Sequence, residues 1–293
     1  MLEAMSTEPV IVVVEPYGGS TRMHSPELPH IFWDDAAVTR GDAVVETLLI
    51  RGGRARNLER HLERFAQSAE LFGLPPVAKD SWRKATAEAA AAFGAEGCCR
   101  WTLSRGRAAT GNATAWIVVT PLGEQLLEER QRGVKVMLAP RGYSLPPKKA
   151  RKKAPWLTPA AKSVNYAAAM AALRYARAHG FDDVIYVEDE HVLEGATSTV
   201  VVARGNKLRT PTGLDSILEG TTQAMLFAYA EAHGISVKAK DLTVDDLRAA
   251  DSVWLLSAAR TAVRVTHLGE EKLPKPKGGL NVAALVDEAL EAN

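Results

Sequence analysis

Cysteine is nearly absent from this chain: its 293 residues include two, Cys98 and Cys99, and these are adjacent. Neighbouring cysteines are poorly placed to bridge each other, so no disulfide framework is expected and a reducing compartment fits. Nor is there an excess of charge of either sign, because 36 Lys and Arg stand against 35 Asp and Glu and leave a net charge of +1. That balance supplies no overall field to recruit nucleic acid or an anionic membrane surface. Long apolar runs are missing too. Val10 to Val14 is far too short to span a membrane, and Glu3, Glu8 and Glu15 around it break the layout of a signal peptide. A cytoplasmic protein is therefore expected. The seven histidines show no metal-ligand spacing among themselves or with the cysteines, so no metal site is expected. What remains is 46% hydrophobic and 24% charged, the composition of a globular chain long enough for one large domain or two ordinary ones.

Periodicity gives the first half an α/β character. VIVVVEP reads as a strand, followed by a loop rich in Gly, Ser, Pro and His to about Pro29. HIFWDDAAVTRGDAVVETLLIRGGRAR reads as strands with Gly52-Gly53 as a tight hairpin turn. Over residues 57–72 the positions Leu58, Leu62, Phe65, Ala69 and Phe72 recur at helical spacing, with Asn57 as N-cap and Gly73 as stop. A second helix is expected over Asp80 to Phe93. Strands at Cys98 to Ser104 and Ala115 to Thr120 should pair, and Val134 to Leu138 should complete this first unit.

Pro140 to Thr158 changes character, and its prolines mark a domain connection. The expected division is an N-terminal α/β domain over 1–140, an interdomain loop over 141–158 and a second domain over 159–293. The loop carries a basic run of Lys148, Lys149, Arg151, Lys152 and Lys153. Three readings are open for it: a solvated linker face, a nucleic-acid patch, or an edge of an active site that draws in an anionic substrate. Neutral net charge and a lack of interleaved aromatics argue against the second.

Beyond the loop, Lys162 is followed at once by a helical pattern, and Glu194 lies within strand-like runs in DVIYVEDEHVLEGATSTVVVARG. A helix opens after Gly220-Thr221-Thr222, with Met225, Leu226, Tyr229 and Ala232 on one side and Gly234 at its end. Then come a strand at ISVKAKDL, a short helix after Thr243, a strand at SVWLLSAARTAVRVTHLG and a helix from about Asn281.

Three handles in this half point to one kind of chemistry. A lysine beside Pro159-Ala160-Ala161 and an Ala-rich helix is in a drier setting than the lysines of the basic loop, and a desolvated amine can attack a carbonyl. A carboxylate among valines needs a cationic partner, such as a protonated ring nitrogen. A helix start preceded by glycine offers backbone N–H groups to a phosphate. Taken singly, each has an ordinary reading: a solvated lysine, a glutamate at a hairpin edge in water, and a threonine-capped helix.

Together with their order along the chain, these residues resemble the fold-type IV pyridoxal-phosphate enzymes. That is the class-IV aminotransferase superfamily, which includes branched-chain and D-amino-acid aminotransferases and 4-amino-4-deoxychorismate lyase. Arg40-Gly41-Asp42 with Glu46-Thr47 is similar to R-G-D-G-x-F-E-T, and Asn57 to Phe65 carries the likeness to H-x-x-R-L/F, with its phosphate arginine at Arg64. Lys162 to Tyr166 is similar to K-x-x-N-Y, followed by Glu194-Gly195 and by Glu219 to Thr222, which resembles P-G-I-T-R. The likeness runs from about residue 33 to 265. It implies two α/β domains with the cofactor at their interface, in a homodimer, and pyridoxal 5′-phosphate as the cofactor.

Carried onto this chain, the resemblance implies that Lys162 forms the Schiff base with the cofactor and later moves the proton, and that Glu194 keeps the pyridine nitrogen protonated. Arg64, Gly220, Thr221 and Thr222 would cradle the phosphate with Ser257 and Ala258. Tyr166 would lie near the phenolic oxygen, and Thr197 and Ser198 beside the ring. Several positions depart from the family pattern: Ala43 and Val45 in the first motif, Thr199 where Asn is common, Thr221-Thr222-Gln223 for I-T-R, and Ala258 for a phosphate-binding Thr.

The first motif block looks most like the aminodeoxychorismate lyases. This implies release of p-aminobenzoate and pyruvate in folate biosynthesis, with Thr47 near the reacting carbon. An aminotransferase acting on branched-chain L-amino acids or on D-amino acids is the alternative, and a catalytically silent relative a remote third. Planar guanidinium groups clamp carboxylates well, so Arg105, Arg107 and Arg260 are candidate substrate contacts. Each could equally be a surface arginine without a ligand.

Overall fold

The computed structural model describes residues 8–146, 153–212, 216–276 and 278–292. Two compact units emerge, one formed by Met1–Gly123 with Ala161–Asn165 and the other by Glu124–Ala160 with Tyr166–Asn293. Lys148, Lys149, Arg151 and Lys152 of the basic run lie outside the described residues.

The first unit contains β1 (Val10–Val14), β2 (Thr21–His24), α1 (Ala36–Thr39), β3 (Ala43–Arg51) and β4 (Arg54–Ala55). These are followed by α2 (Leu58–Leu71), α3 (Lys79–Phe93), β5 (Gly97–Ser104) and β6 (Thr114–Pro121). The strands form a six-stranded sheet in the order β2-β1-β6-β5-β3-β4, antiparallel throughout. β3 reads AVVETLLIR because both its faces are covered, and seven of its nine residues are buried. Gly52 and Gly53 turn it into β4 with φ of 61° and 69°, as a primed hairpin turn requires. Phe65 of α2 meets Trp82 of α3 edge-on, with ring centroids 4.7 Å apart, and Trp101 of β5 closes the cluster. Asn57 does not cap α2 through its side chain as expected. It adopts a left-handed conformation (φ 57°) and forms no side-chain cap bond. The polar strand β2 sits within the stretch read as loop, where TRMH pairs antiparallel with IVVV of β1.

The second unit begins with α4 (Glu124–Arg132), β7 (Val134–Pro140), α5 (Ala167–Ala178), β8 (Asp183–Glu188), β9 (His191–Gly195), β10 (Thr199–Arg204) and β11 (Lys207–Pro211). It continues with α6 (Thr221–Ala232), β12 (Ser236–Lys240), α7 (Val244–Arg248), β13 (Ser252–Ser257), β14 (Thr261–Leu268), β15 (Glu271–Lys272) and α8 (Val282–Glu291). Its nine-stranded mixed sheet runs β12-β11-β10-β13-β14-β7-β8-β9, with β15 on β14. β7 does not complete the first unit: it pairs in parallel with β14 and β8 of this sheet. SVWLLSAARTAVRVTHLG is two strands, because the chain reverses at Ser257–Thr261 and β13 pairs antiparallel with β14. The helix after Lys162 starts at Ala167, later than its pattern suggested, since residues 162–164 hydrogen-bond to β3 instead. α7 carries a full capping box between Thr243 and Asp246, and Asn281 caps α8. Among the described residues no helix is long and apolar enough to cross a membrane, and no side-chain cluster could hold a metal ion.

Candidate functional site

Within the first unit, the chemistry gathers around β3 and α2. Glu46, on β3 and fully buried, accepts two parallel bonds from Arg64, Nε to Oε1 at 2.6 Å and Nη2 to Oε2 at 2.8 Å. His61, one turn earlier on α2, donates from Nδ1 to Glu46 Oε2 at 2.7 Å. Burial alone would raise the carboxyl of Glu46, but the Arg64 and His61 charges and hydrogen bonds outweigh it and hold it down at about 2. Burial lowers the pKa of His61, opposed by Glu46 and reinforced by the positive charges of Arg64 and Lys162. Glu46 is therefore ionised at physiological pH.

Lys162 belongs to this same unit, on an extended segment laid against β3. Val45 N–H donates to Lys162 O at 2.9 Å, Val164 N–H donates to Ala43 O at 3.1 Å, and Ser163 bridges Val44. Lys162 N–H in turn donates to Ser68 Oγ at 3.1 Å. The lysine motif and the R-G-D motif meet at Gly41, where a Cβ would lie 2.3 Å from Asn165 Oδ1 at a φ of +67°. Glycine is thus required there twice over, by space and by backbone conformation. Thr47 is half-buried on β3, with its N–H 3.3 Å from Glu46 Oε2.

Two of the three candidate clamps lie in this unit, both in ion pairs. Arg105 spends its whole guanidinium on Asp42 and on the carbonyls of Phe72 and Gly73 that end α2. Arg107 uses only Nε on Asp34, at 2.9 Å, and lies over the exposed Phe32 ring at 3.9 Å, so both its Nη groups stay without a hydrogen-bond partner.

In the second unit, Glu194 stands near the end of β9, half-buried rather than sealed among valines, and accepts from Leu218 N–H at 3.4 Å. Burial and the nearby Glu194 charge push up the phenol of Tyr186 on the adjacent β8. Gly195 is needed because a Cβ would fall 2.2 Å from Ser198 Oγ, and that hydroxyl is buried with no hydrogen-bond partner. Thr197 beside it is exposed. Gly220 is the N-cap of α6 in extended conformation, makes no side-chain cap bond, and would drive a Cβ to 2.2 Å from Thr199 Oγ1. Thr221 and Thr222 follow, both buried. Tyr166 is half-buried at the N-cap of α5.

Ser257 and Ala258 lie where β13 turns into β14. Arg130 of α4 donates to Ala259 O at 2.5 Å, and Thr261 takes a left-handed φ of 55°, unusual for a β-branched residue. Arg260, the third candidate clamp, points its Nη1 at Asp183 (2.7 Å) and Glu129 (3.3 Å), while its Nε and Nη2 are buried and unpartnered. Sequence reasoning did not find roles for His61, Ser68, Glu129, Asp183 or Tyr186. Only His61 had a local signal, its place in the H-x-x-R motif.

The family profile described as Amino-transferase class IV matches residues 43–268. The bifunctional aminodeoxychorismate lyase / D-amino acid transaminase of Mycobacterium tuberculosis is 40% identical over 277 residues, covering 90% of this chain and 95% of the relative. A hypothetical aminotransferase of Mycobacterium tuberculosis, solved in its PLP-bound form, superposes with a TM-score of 0.89 at 39% identity, covering 97% of this chain and 99% of that one. A fold IV-transaminase from Curtobacterium pusillum gives 0.84 at 32% identity, over 97% of this chain and 96% of its own. The chain belongs to the class-IV aminotransferase family, has its two-sheet α/β fold, and is an enzyme that uses pyridoxal 5′-phosphate. The residues present fit that cofactor. A helix start with glycine at its N-cap and buried threonines after it suits a phosphate, an unpartnered buried Ser198 hydroxyl suits a polar ring substituent, and a half-buried Glu194 suits a ring nitrogen.

Proposed function

We propose that this class-IV aminotransferase cleaves 4-amino-4-deoxychorismate to p-aminobenzoate and pyruvate, and that the same residues transfer amino groups from D-amino acids as a second activity. The observation that carries this is the 40% identity to an enzyme bearing both activities, sustained over 90% of the chain.

Bound pyridoxal phosphate supplies an aldehyde for an amine and an electron-accepting ring that acidifies the hydrogen on the amine-bearing carbon. Lys162 provides the resident amine. Once the substrate's amine has displaced it, its Nζ is the base that takes that proton. Glu194 keeps the ring nitrogen protonated. Arg64, oriented by Glu46, is the phosphate-binding cation of the first unit; in the second unit the first N–H groups of α6, at Gly220, Thr221 and Thr222, and the Ser257–Ala258 turn are the phosphate-binding groups. Tyr166, Thr197 and Ser198 contact the ring substituents, and Thr47 lies near the reacting carbon. Arg107 is the substrate clamp, because its Nη groups are not used on Asp34, whereas the unpartnered Nε and Nη2 of Arg260 are buried.

In the lyase reaction the proton held on Lys162 Nζ would pass to the methylene carbon of the enolpyruvyl group as its ether C–O bond to the ring breaks, so that pyruvate leaves and the ring becomes aromatic. In amino transfer Lys162 would instead move that proton across the carbon–nitrogen pair. With this reading go a place in folate biosynthesis, a homodimeric assembly and a cytoplasmic location, the last in keeping with the free thiols of Cys98 and Cys99.

The test is a paired assay on one cofactor-loaded preparation, following p-aminobenzoate release and amino transfer from D- and L-amino acids to 2-oxoglutarate. Fast p-aminobenzoate release supports the lyase. Transfer from branched-chain L-amino acids with no p-aminobenzoate overturns it.

A further inference from the structure

Lys162 sits on a segment without a helix or strand of its own, and a flexible lysine arm is only as well aimed as the peptide it starts from. Hydrogen bonds on both sides hold that peptide, among them Val45 N–H to Lys162 O at 2.9 Å and Lys162 N–H to Ser68 Oγ at 3.1 Å. The second spans 94 residues of sequence. Ser68 is 0% exposed, and its hydroxyl donates at 2.8 Å to the carbonyl of Arg64, one helical turn earlier. A helical serine can bond back to its own helix and stop there. Here the same oxygen also receives the lysine's amide, so its donor and an acceptor site are both used on residues with a proposed cofactor role.

We propose that Ser68 is a positioning residue, tying the main chain of Lys162 to the Arg64 turn of α2 so that the amine and the phosphate-binding guanidinium are held in fixed register. The proposal rests on the assignment of Lys162 and Arg64 to the cofactor. Without the hydroxyl, the Lys162 N–H is left unsatisfied and the segment samples other positions, and the fraction competent to bind pyridoxal phosphate falls.

The test compares Ser68→Ala with Glu70→Gly, an exposed neighbour whose replacement weakens the same helix through backbone entropy alone. Equilibrium binding of pyridoxal phosphate is followed by absorbance, and the thermal midpoint of the cofactor-free protein is recorded for each. Ser68→Ala is expected to raise the dissociation constant about tenfold, the loss that an unsatisfied buried N–H brings. Glu70→Gly is expected to lower the thermal midpoint and leave the dissociation constant at the wild-type value. If both variants weaken binding equally, or Ser68→Ala leaves it unchanged, the positioning role is overturned. Lys162→Ala, treated with the cofactor and borohydride, separates the two levels: a reduced adduct persisting in that variant overturns the lysine assignment itself, whatever Ser68→Ala shows.

Discussion

Glu46 and Arg64 form a buried two-point ion pair, Nε to Oε1 at 2.6 Å and Nη2 to Oε2 at 2.8 Å, with no exposure of the carboxylate. A fork this well matched fixes the guanidinium plane, and the third contact, from His61, fixes the carboxylate. The arrangement fixes the orientation of the Arg64 guanidinium.

That pair makes stability depend on acid. Burial opposes the ionised carboxylate of Glu46, yet Arg64 and His61 hold its pKa at about 2 against an ordinary 4.5. A depressed carboxylate contributes stability above 4.5 and loses it as pH falls towards 2, an effect of roughly 3 kcal/mol. His61, also lowered, begins losing its contribution earlier, as pH drops below its ordinary value of 6.5. Glu46→Gln should cost roughly 3 kcal/mol at pH 7 by leaving Arg64 uncompensated, and its thermal midpoint should fall less steeply than wild type between pH 4.5 and 3. Parallel curves for the two proteins would refute this.

The meeting of Gly41 with Asn165 gives a second expectation. Gly41→Ala places a Cβ 2.3 Å from Asn165 Oδ1 at φ +67°, whereas Gly53→Ala has a similar φ of +69° and nothing within 4 Å. The Gly53 variant should lose only the left-handed strain of about 1 kcal/mol. The Gly41 variant should lose at least about twice that by denaturant unfolding, and weaken cofactor binding through the displaced Lys162–Asn165 segment. Equal losses would remove the contact from the explanation.

At the start of α6, Gly220→Ala should weaken pyridoxal phosphate binding about tenfold, a cost of roughly 1–2 kcal/mol, because the new Cβ meets Thr199 Oγ1 at 2.2 Å. Adding Thr199→Ala should recover part of the loss. A double variant no better than the single would place the cause elsewhere than this contact.

Arg105 and Arg107 should separate cleanly. Arg107→Lys loses the planar fork at a half-used guanidinium, so KM for a carboxylate substrate should rise about tenfold with cofactor affinity unchanged. Arg105→Lys breaks the clip to Asp42 and the α2 carbonyls, so its thermal midpoint should fall while KM holds. The reverse pattern would exchange their roles.

The legibility of the fold from sequence followed the strength of local patterning. α2, α3, the Gly52-Gly53 hairpin and the β5–β6 pair carry clear period and turn signals, and all appear where expected. The polar strand β2 and the helix EQLLEERQR have little apolar pattern, and β7 gives no hint that its partners are β8 and β14, more than 40 residues on. In the site, the lysine, glutamate and glycine motifs stand out in the sequence because each combines a residue type with a fixed spacing. Ser68 was not, since its role depends on a partner 94 residues away, and Arg260 read as a surface clamp because Asp183 and Glu129 are neighbours only in space.

The most direct test is to reduce the cofactor-loaded enzyme with borohydride and find the pyridoxyl-modified peptide by mass spectrometry. The account requires one stoichiometric label, on Lys162, and none in Lys162→Ala. A label on another lysine, or no label on a protein that binds the cofactor, would contradict it.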